Sequence, residues 1–442
     1  MSERVSGPVS PAIGRQSRGR VRFSARRLLA LSAYWLAINY LWQGMGALVL
    51  PRLIVGLVAP GERGTALAVL SASGALLAIL VQPAAGAFSD GTRVRWGRRK
   101  PYMVGGTLAA LGCLAGLAVA GSYAALVIPY CALQAASNTA EGAYQGLLPD
   151  QVPAADRGRA AGYYGITVLV GAAVGFLLTG QLIAAGHIPL ALASMGVVLV
   201  VTLGITLRWV PDTPAAAPLR SRREALLGLF SFRPRAHPNF SWLLLSRLLA
   251  LMGTTGLTSF AYLYLKDVFF PGGGAAIANR AAGATSLLLA VIVACAVVVA
   301  LPAARLSQRV GRRAVVAGAA WTGALGTLLI IPAPSLVWVY GVGLLVGAAN
   351  GALLSVDWAL VADLVPPDQA GRFMGISNLA TAGSGIIGVS IAGPLLDAVN
   401  RVAPNAGFTA IFGLFAACFL AGGALVWRVR VPGPVVGPTG PE

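Results

Sequence analysis

Acidic residues, histidines and cysteines are all scarce in this 442-residue chain, and each shortage excludes a class of protein. The sequence has 14 Asp and Glu against 33 Lys and Arg, and charged residues make up 11% of it, whereas soluble domains average about 25%. The two histidines, His187 and His237, have no ligand cluster beside them, which excludes a zinc site and a Ser/His/Asp site. No glycine-rich turn is followed by Lys and Ser or Thr, so no ATP-binding loop is predicted. The cysteines lie in apolar runs and read as packing residues rather than disulfide partners or metal ligands: Cys113, Cys131, Cys295 and Cys418.

Long apolar runs fill almost all of the chain, and hydrophobic residues make up 57% of it. A helix that crosses about 30 Å of hydrocarbon needs about 20 apolar residues. Twelve runs have that length: 29–50, 65–87, 101–121, 123–147, 161–184, 188–208, 240–265, 281–302, 314–332, 335–359, 373–394 and 406–427. The sequence therefore predicts an all-α membrane protein with about 12 transmembrane helices.

Lys and Arg are distributed unevenly between the connections. Twenty-seven of the 33 lie in the N-terminal arm, in alternate connections and after the last run, and five lie in the other connections. Short loops rich in Lys and Arg stay cytoplasmic, so we expect both termini to be cytoplasmic and the protein to lie in the cell (inner) membrane. The basic side suits anionic lipids. No soluble segment alternates basic with aromatic residues, so we expect no nucleic-acid partner.

The chain divides into two similar halves. At an offset of 213 residues, Asp150 matches Asp363 and Gly162 matches Gly375, within loops that also share Pro and Gly-Arg. Repeats of six plus six spans are typical of transporters whose halves rock about a midplane site. We therefore predict two pseudo-symmetric six-helix bundles. The predicted segments are a disordered basic arm 1–28, bundles 29–208 and 240–430, a cytoplasmic linker 209–239 and a tail 431–442.

Two segments resemble a known family. Residues 86–102, GAFSDGTRVRWGRRKPY, resemble the signature loop of the major facilitator superfamily. Their long form is similar to the loop of its glycoside–pentoside–hexuronide and sucrose–proton symporter branch. Residues 133–150, LQAASNTAEGAYQGLLPD, resemble the fourth-span pattern of the same branch. The branch's proton-binding aspartate falls on Gln134 here, and its glutamine falls on Glu141.

The resemblance also implies a cytoplasmic gate. In the superfamily, the loop acid meets the positive N-terminal end of the eleventh helix, and the loop arginines meet an acid that ends the fourth helix. Carried over, Asp90 would face the helix starting near Gly371, and Arg98 or Arg99 would pair with Asp150. The alternative is that the loop charges only set the topology. The gate candidates are Asp90, Gly97, Arg98, Arg99, Asp150 and Asp363.

Three ionisable residues lie within apolar runs, where charge is costly and functional candidates are expected: Glu141, Asp357 and Arg247. Glu141 is predicted to carry the coupling proton in place of the branch's aspartate, or else to pair with a basic group. Asp357 is either a second proton or substrate group, or an interhelical hydrogen-bond partner. For Arg247 we favour snorkelling to the cytoplasmic interface over a buried pair with one of these acids.

Polar side chains within the same runs are candidates for a substrate cavity, because sugars bind through hydrogen bonds to hydroxyls and by stacking on aromatic rings. In the first run, Trp42 lies on the same side as two of them, Asn39 and Gln43, whereas aromatic residues near run ends favour an interfacial belt. The cavity candidates are Asn39, Gln43, Gln134, Asn138, Gln145, Asn350 and Asn378.

These features predict a secondary transporter and not an enzyme. Our first hypothesis is proton-coupled symport of a sugar or glycoside by a monomer, driven by a proton gradient without a cofactor. Its partners would be the small-molecule substrate, protons and the lipid bilayer. The alternatives are a proton-coupled exporter of an amphipathic drug or natural product, and a scaffold or sensor that does not transport.

Overall fold

The computed structural model describes residues 24–153, 156–214, 234–365 and 370–430, and every regular element in these ranges is a helix. The long helices are α1 (Ala25–Leu57), α2 (Pro60–Asp90), α3 (Lys100–Ala118), α4 (Tyr123–Gln145), α5 (Arg157–Ala184), α6 (Ile188–Trp209), α7 (Pro238–Phe269), α8 (Ala275–Val310), α9 (Arg312–Ile330), α10 (Leu336–Leu364), α11 (Ala370–Val402) and α12 (Ala406–Leu425). The predicted all-α class is confirmed. Residues 1–23 of the predicted arm, 215–233 of the linker and the tail 431–442 lie outside the described residues.

Eleven of the described helices are long and apolar enough to cross a membrane by length and composition. The remaining long helix, α4, has 23 residues and is more polar, because it carries Gln134, Asn138 and Glu141. A helix of this kind is stable in a bilayer where its polar side faces other helices or a cavity. The prediction of about 12 membrane-spanning helices is therefore consistent with the fold, and α4 stands out among them.

The two halves, α1–α6 and α7–α12, use the same helix pairings. In the first half α1 packs on α5 and α6, and α4 packs on α2 and α3; in the second half α7 packs on α11 and α12, and α10 packs on α8 and α9. Between the halves, α2 packs on α11 and α5 packs on α8. This is the two-bundle organisation that the sequence repeat predicts.

The ends of the bundles are fixed by side-chain to backbone hydrogen bonds. The Thr206 hydroxyl donates to the Ala30 carbonyl at 2.9 Å, so the end of α6 lies beside the start of α1. The Arg430 amide donates to Asn239 Oδ1 at 3.3 Å, so the chain after α12 lies beside the start of α7. We call this side of the molecule the terminal end and the other side the far end.

Polar contacts join the two halves at the far end. Arg52, near the end of α1, donates through Nε to Asn279 Oδ1 on α8 at 2.8 Å. Arg63, at the start of α2, pairs with Asp267 at the end of α7 at 3.4 Å. Asp397 near the end of α11 contacts the start of α2. The halves are therefore held together on the side opposite the terminal end.

Candidate functional site

A cavity of about 300 Å³ lies between the halves, near the middle of the helices that line it. Its volume is at the lower end of the range of about 300–1,000 Å³ found for ligand pockets. Helices α1, α2 and α4 form one wall, and α7 and α11 form the other. The lining residues are Trp42, Ser71, Ala75, Ala78, Tyr130, Gln134, Asn138, Glu141, Thr255, Ser259, Gly385, Ile386 and Val389.

The polar face of α4 contributes most of the hydrogen-bonding groups of this cavity. Tyr130, Gln134, Asn138 and Glu141 are spaced by four, four and three residues, so they lie on one face of the helix. Gln134 Nε2 donates to the Tyr130 hydroxyl at 2.9 Å. Asn138 Nδ2 donates to Gln134 Oε1 at 3.1 Å and to the Gln134 carbonyl at 2.8 Å. These side chains orient one another before any substrate arrives.

Glu141 is held by neutral donors. Its Oε1 accepts hydrogen bonds from Gln82 Nε2 on α2 at 2.8 Å and from Gln145 Nε2 at 3.2 Å. None of the ion pairs between described residues involves Glu141, so the alternative of a basic partner finds no support among them. A carboxyl at a cavity wall, with amides beside it and no ion pair to any described residue, is placed to exchange a proton with the cavity.

Glycine allows α2 to approach the polar face of α4. A Cβ atom added at Gly74 would lie 2.6 Å from Gln134 Nε2 and 2.7 Å from the Tyr130 hydroxyl, which is closer than van der Waals contact permits. The hydrogen-bonded pair Tyr130–Gln134 therefore depends on the missing side chain of Gly74. Small residues commonly allow this kind of approach between membrane helices.

The opposite wall of the cavity is less polar. Helix α7 contributes the hydroxyls of Thr255 and Ser259, and α11 contributes Gly385, Ile386 and Val389. The cavity therefore combines amide, hydroxyl and carboxyl groups on one side with a mainly apolar surface that carries two hydroxyls on the other. Such a lining can hydrogen-bond a small polar solute and also cover its apolar face.

Arg247 does not snorkel, and our preferred interpretation of it is wrong. Its side chain is 2% exposed and forms an ion pair through Nη1 with Asp357 of α10. Its Nη2 donates to the Thr381 hydroxyl of α11 at 3.0 Å, and its Cζ lies 4.3 Å from the ring centroid of Trp358. Because Asp357 lies within reach, the guanidinium is compensated inside the bundle and has no need to reach the interface. The pair belongs to the second half alone.

A second polar contact joins the same two helices. The Thr254 hydroxyl donates to Asn350 Oδ1 at 3.0 Å. Thr254 is seven residues after Arg247, and Asn350 is seven residues before Asp357, so the two contacts are successive rungs between antiparallel helices two turns apart. The sequence marked Asn350 and Asp357 as candidates, and the structure uses both to join α7 to α10.

The gate candidates of the first half cluster at the terminal end. Arg98 Nη2 pairs with Asp150 Oδ1 at 2.6 Å, and Arg99 Nε pairs with Asp150 Oδ2 at 3.1 Å. Arg99 also pairs with Asp90 at 2.5 Å and donates to the Ser89 hydroxyl at 2.6 Å. Both arginines therefore contact Asp150. The contact of Asp90 with the start of α11 stays a prediction, since in this structure the partner of Asp90 is Arg99.

Asp212, which the sequence did not single out, completes this cluster. Its Oδ2 accepts from the backbone amides of Arg99 at 2.7 Å and Lys100 at 3.0 Å, where it caps the start of α3. Gly97 has φ of +112°, and a Cβ atom added there would collide with the Asp212 carboxyl.

In the second half Arg312 pairs with Asp363 at 2.6 Å, which parallels the pairing of Arg98 with Asp150.

The other predicted cavity residues lie outside the lining. Asn39 donates to the carbonyl of Trp35 in its own helix at 2.8 Å, Asn378 is exposed, and Gln43 and Gln145 are not among the lining residues. Sequence reasoning missed Tyr130, Thr255 and Ser259. The spacing of Tyr130, four residues before Gln134, could have revealed it. Single hydroxyls in apolar helices are too common to be a signal.

Comparison with known proteins decides the family. The sequence model described as Major Facilitator Superfamily matches residues 27–278 and 275–442. The chain belongs to this superfamily. It is a membrane transporter by family and fold, not an enzyme. No curated protein matches it in sequence.

Solved transporter structures share the fold at low sequence identity. The nucleoside transporter NupG is 14% identical with a TM-score of 0.69, covering 92% of this chain and 99% of its own. The D-xylose-proton symporter is 16% identical with a TM-score of 0.68, covering 92% and 98%. The peptide transporter POT in complex with sulfate is 15% identical with a TM-score of 0.68, covering 91% and 94%. At these identities the likeness shows the fold alone.

Proposed function

We propose that this superfamily member is a proton-coupled symporter of a sugar or glycoside that works by alternating access. The observation that carries the proposal is the polar face of α4 in the central cavity. Tyr130, Gln134 and Asn138 offer oriented donors and acceptors for hydroxyl groups, and Trp42 offers a ring for an apolar sugar face. The small volume of the cavity, about 300 Å³, favours a solute of a few rings at most.

The conformation supports alternating access with the cytoplasm at the terminal end. The basic loops lie at that end, and loops rich in Lys and Arg stay cytoplasmic. Among the residues that the structure describes, the halves touch through Arg52, Arg63 and Asp397 at the far end, and the terminal-end ion pairs each join residues of one half: Arg98–Asp150, Arg99–Asp90 and Arg312–Asp363. This arrangement supports an inward-facing state, and the basic terminal end supports a place in the cell (inner) membrane.

Glu141 is the proposed coupling site. It lines the cavity, and its hydrogen bonds come from the neutral side chains of Gln82 and Gln145. Asp357, the other candidate, is already compensated by Arg247, so its protonation would leave a buried cation without a partner. The proton gradient would then act through Glu141, next to the substrate. The resemblance of residues 86–102 and 133–150 to the sugar symporter branch supports this proposal.

The test is flux into proteoliposomes with an imposed pH gradient. We expect inward protons to drive accumulation of a radiolabelled sugar from a panel of mono- and disaccharides. In Glu141→Gln, accumulation should be lost while exchange of sugar across the membrane persists, because the amide cannot carry a proton. Glu62→Gln, which changes an exposed acid at the far-end start of α2, is the matched control and should accumulate sugar normally. Unchanged pH-dependent accumulation in Glu141→Gln would refute the coupling role.

The apolar wall formed by Ile386, Val389 and Gly385 favours a second candidate, the proton-coupled exporter of an amphipathic compound. The same vesicles distinguish the two functions when lipophilic cations are added to the panel. Expulsion of these cations by the proton gradient, with no response to any sugar, would move the protein to the exporter class.

A further inference from the structure

Asp397 forms an unusual contact between the two halves at the far end. It lies near the end of α11 and is 2% exposed. Its Oδ1 accepts from the backbone amide of Gly64 at 3.0 Å, and its Oδ2 accepts from the amide of Thr65 at 2.6 Å. Helix α2 opens with a 3₁₀ turn, Pro60–Glu62, and its α-helical part begins at Arg63. Both amides are in the first turn of this α-helical part, where backbone N–H groups have no partner within the helix.

The contact is favourable for two electrostatic reasons. The start of a helix carries a partial positive charge, which a carboxylate complements, and hydrogen bonds to an ionised acceptor are stronger than neutral ones. Burial keeps water and salt from screening them. No other far-end contact between the halves combines these features among the residues that the structure describes: Asp267, the acid of the neighbouring pair with Arg63, has a side chain that is 25% exposed.

Glycines bring the two helices close enough for this contact. A Cβ atom added at Gly393 would overlap the backbone of Gly64, and one added at Gly64 would overlap the backbone of Gly393. Both glycines lie one turn or less from the hydrogen-bonded groups, so α2 and α11 touch through their backbones there. Because the two backbones are already in contact, a small separation of the helices removes both hydrogen bonds.

We propose that Asp397 and the first turn of α2 form the latch that holds the far end closed. Opening the cavity to the far side requires α2 and α11 to part at this point, and the carboxylate then loses both amides. The latch uses the same two helices as the gate that the family resemblance implies at the terminal end, with their roles exchanged. There the acid, Asp90, belongs to α2; here the acid belongs to α11. The inference rests on the alternating access of the proposed function but not on its substrate.

Thiol labelling tests the latch without a substrate. Cys113, Cys131, Cys295 and Cys418 are first replaced by serine or alanine, and Ser71→Cys places a reporter in the cavity wall. A membrane-impermeant maleimide is then added to the far side of oriented vesicles. With Asp397 intact we expect slow labelling from this side and fast labelling from the terminal side. Asp397→Asn should raise the far-side rate about tenfold, which corresponds to about 1.4 kcal/mol in the closing equilibrium.

Two further variants make the test specific. Asp267→Asn removes a charge from the partly exposed far-end pair and should change the far-side rate less than about threefold, as expected for a screened contact. Thr65→Pro removes one of the two amide donors while leaving Asp397 in place, and proline is tolerated in a first helical turn. The far-side labelling rate of this variant should also rise. A far-side rate that stays unchanged in both Asp397→Asn and Thr65→Pro, with thermal unfolding like that of the parent, would overturn the latch. Altered labelling without any sugar transport would leave the latch standing and refute only the symporter.

Discussion

The buried pair of Arg247 and Asp357 gives the sharpest prediction about stability. Arg247 has a side chain that is 2% exposed and Asp357 one that is 10% exposed. Removing one partner of such a pair typically costs about 3–5 kcal/mol, because the remaining charge is left uncompensated in a medium of low dielectric constant. We expect Asp357→Ala to cost about 3 kcal/mol, at the lower end of that range, because Thr381 and Trp358 still contact the guanidinium.

A double replacement separates the pair from its surroundings. In the variant carrying both Arg247→Met and Asp357→Leu, neither charge remains, and apolar side chains of similar length fill the space. Buried ion pairs replaced in this way are often neutral in stability, so we expect a free energy of unfolding within about 1 kcal/mol of the parent. Each single variant should therefore lower the free energy of unfolding more than the double variant does. The control Asn350→Ala breaks the neighbouring rung to Thr254 and should cost about 1 kcal/mol, as a neutral hydrogen bond does.

The assay is denaturant unfolding in detergent, followed by the fluorescence of the nine tryptophans and arranged as a double-mutant cycle. A snorkelling Arg247 would not depend on Asp357, and the two changes would then add. Additivity to within about 0.5 kcal/mol, the limit for independent sites, would refute the buried pair and the reasoning built on it.

Two further predictions concern the terminal end and the cavity. Arg99→Lys should lower the free energy of unfolding by about 2 kcal/mol, because lysine cannot replace a planar guanidinium that contacts two acids. Arg98→Lys should lower it by at most about 1 kcal/mol, because it breaks a partly exposed pair with Asp150. Equal losses for the two variants in the same assay would contradict this ranking. Gly74→Val should displace Gln134 and so weaken substrate binding about tenfold or more, a loss of about 1.4 kcal/mol. Unfolding is measured in parallel to show that the variant is folded. Unchanged binding in a folded variant would show that the Gln134 amide does not contact the substrate.

The sequence predicted the helices well because a bilayer imposes a length and a composition on each of them. Their ends were less predictable. The run 281–302 becomes α8, Ala275–Val310, and the run 373–394 becomes α11, Ala370–Val402. Helices continue past the hydrocarbon into polar sequence, since the backbone hydrogen bonds do not depend on apolar side chains. Hydropathy therefore finds the middle of each helix but not where it stops.

The candidate site was predicted where one helix carries the signal. Gln134, Asn138 and Glu141 share a face of α4, so their spacing alone placed them together, and all three line the cavity. The partner of Arg247 depends on the packing of α7 against α10, which the spacing within either helix does not specify. For the same reason Asp397 was not predicted. Its hydrogen bonds go to a backbone 332 and 333 residues away, and nothing near it in sequence indicates them.

Equivalent positions in the two halves make contacts at the same place, but the side chains that make these contacts differ in chemistry. Tyr34 and Tyr144 meet edge to face with ring centroids 5.2 Å apart. At the offset of 213 residues that relates the two loops, these positions become Arg247 and Asp357, which form the buried pair. Equivalent places between α1 and α4 and between α7 and α10 are thus joined by aromatic contact in one half and by an ion pair in the other.

The same offset explains why the polar face of the cavity belongs to one half. Gln134 and Asn138 on α4 correspond to Gly347 and Gly351 on α10. A Cβ atom added at either glycine would overlap backbone carbonyl oxygens of α8, so α10 and α8 are packed too closely there to leave room for a polar side chain. The corresponding approach of α2 to α4 instead accommodates the Gln134 amide. At these positions the cavity-lining amides are therefore confined to the first half, and a role proposed for α4 cannot be carried to α10 by symmetry.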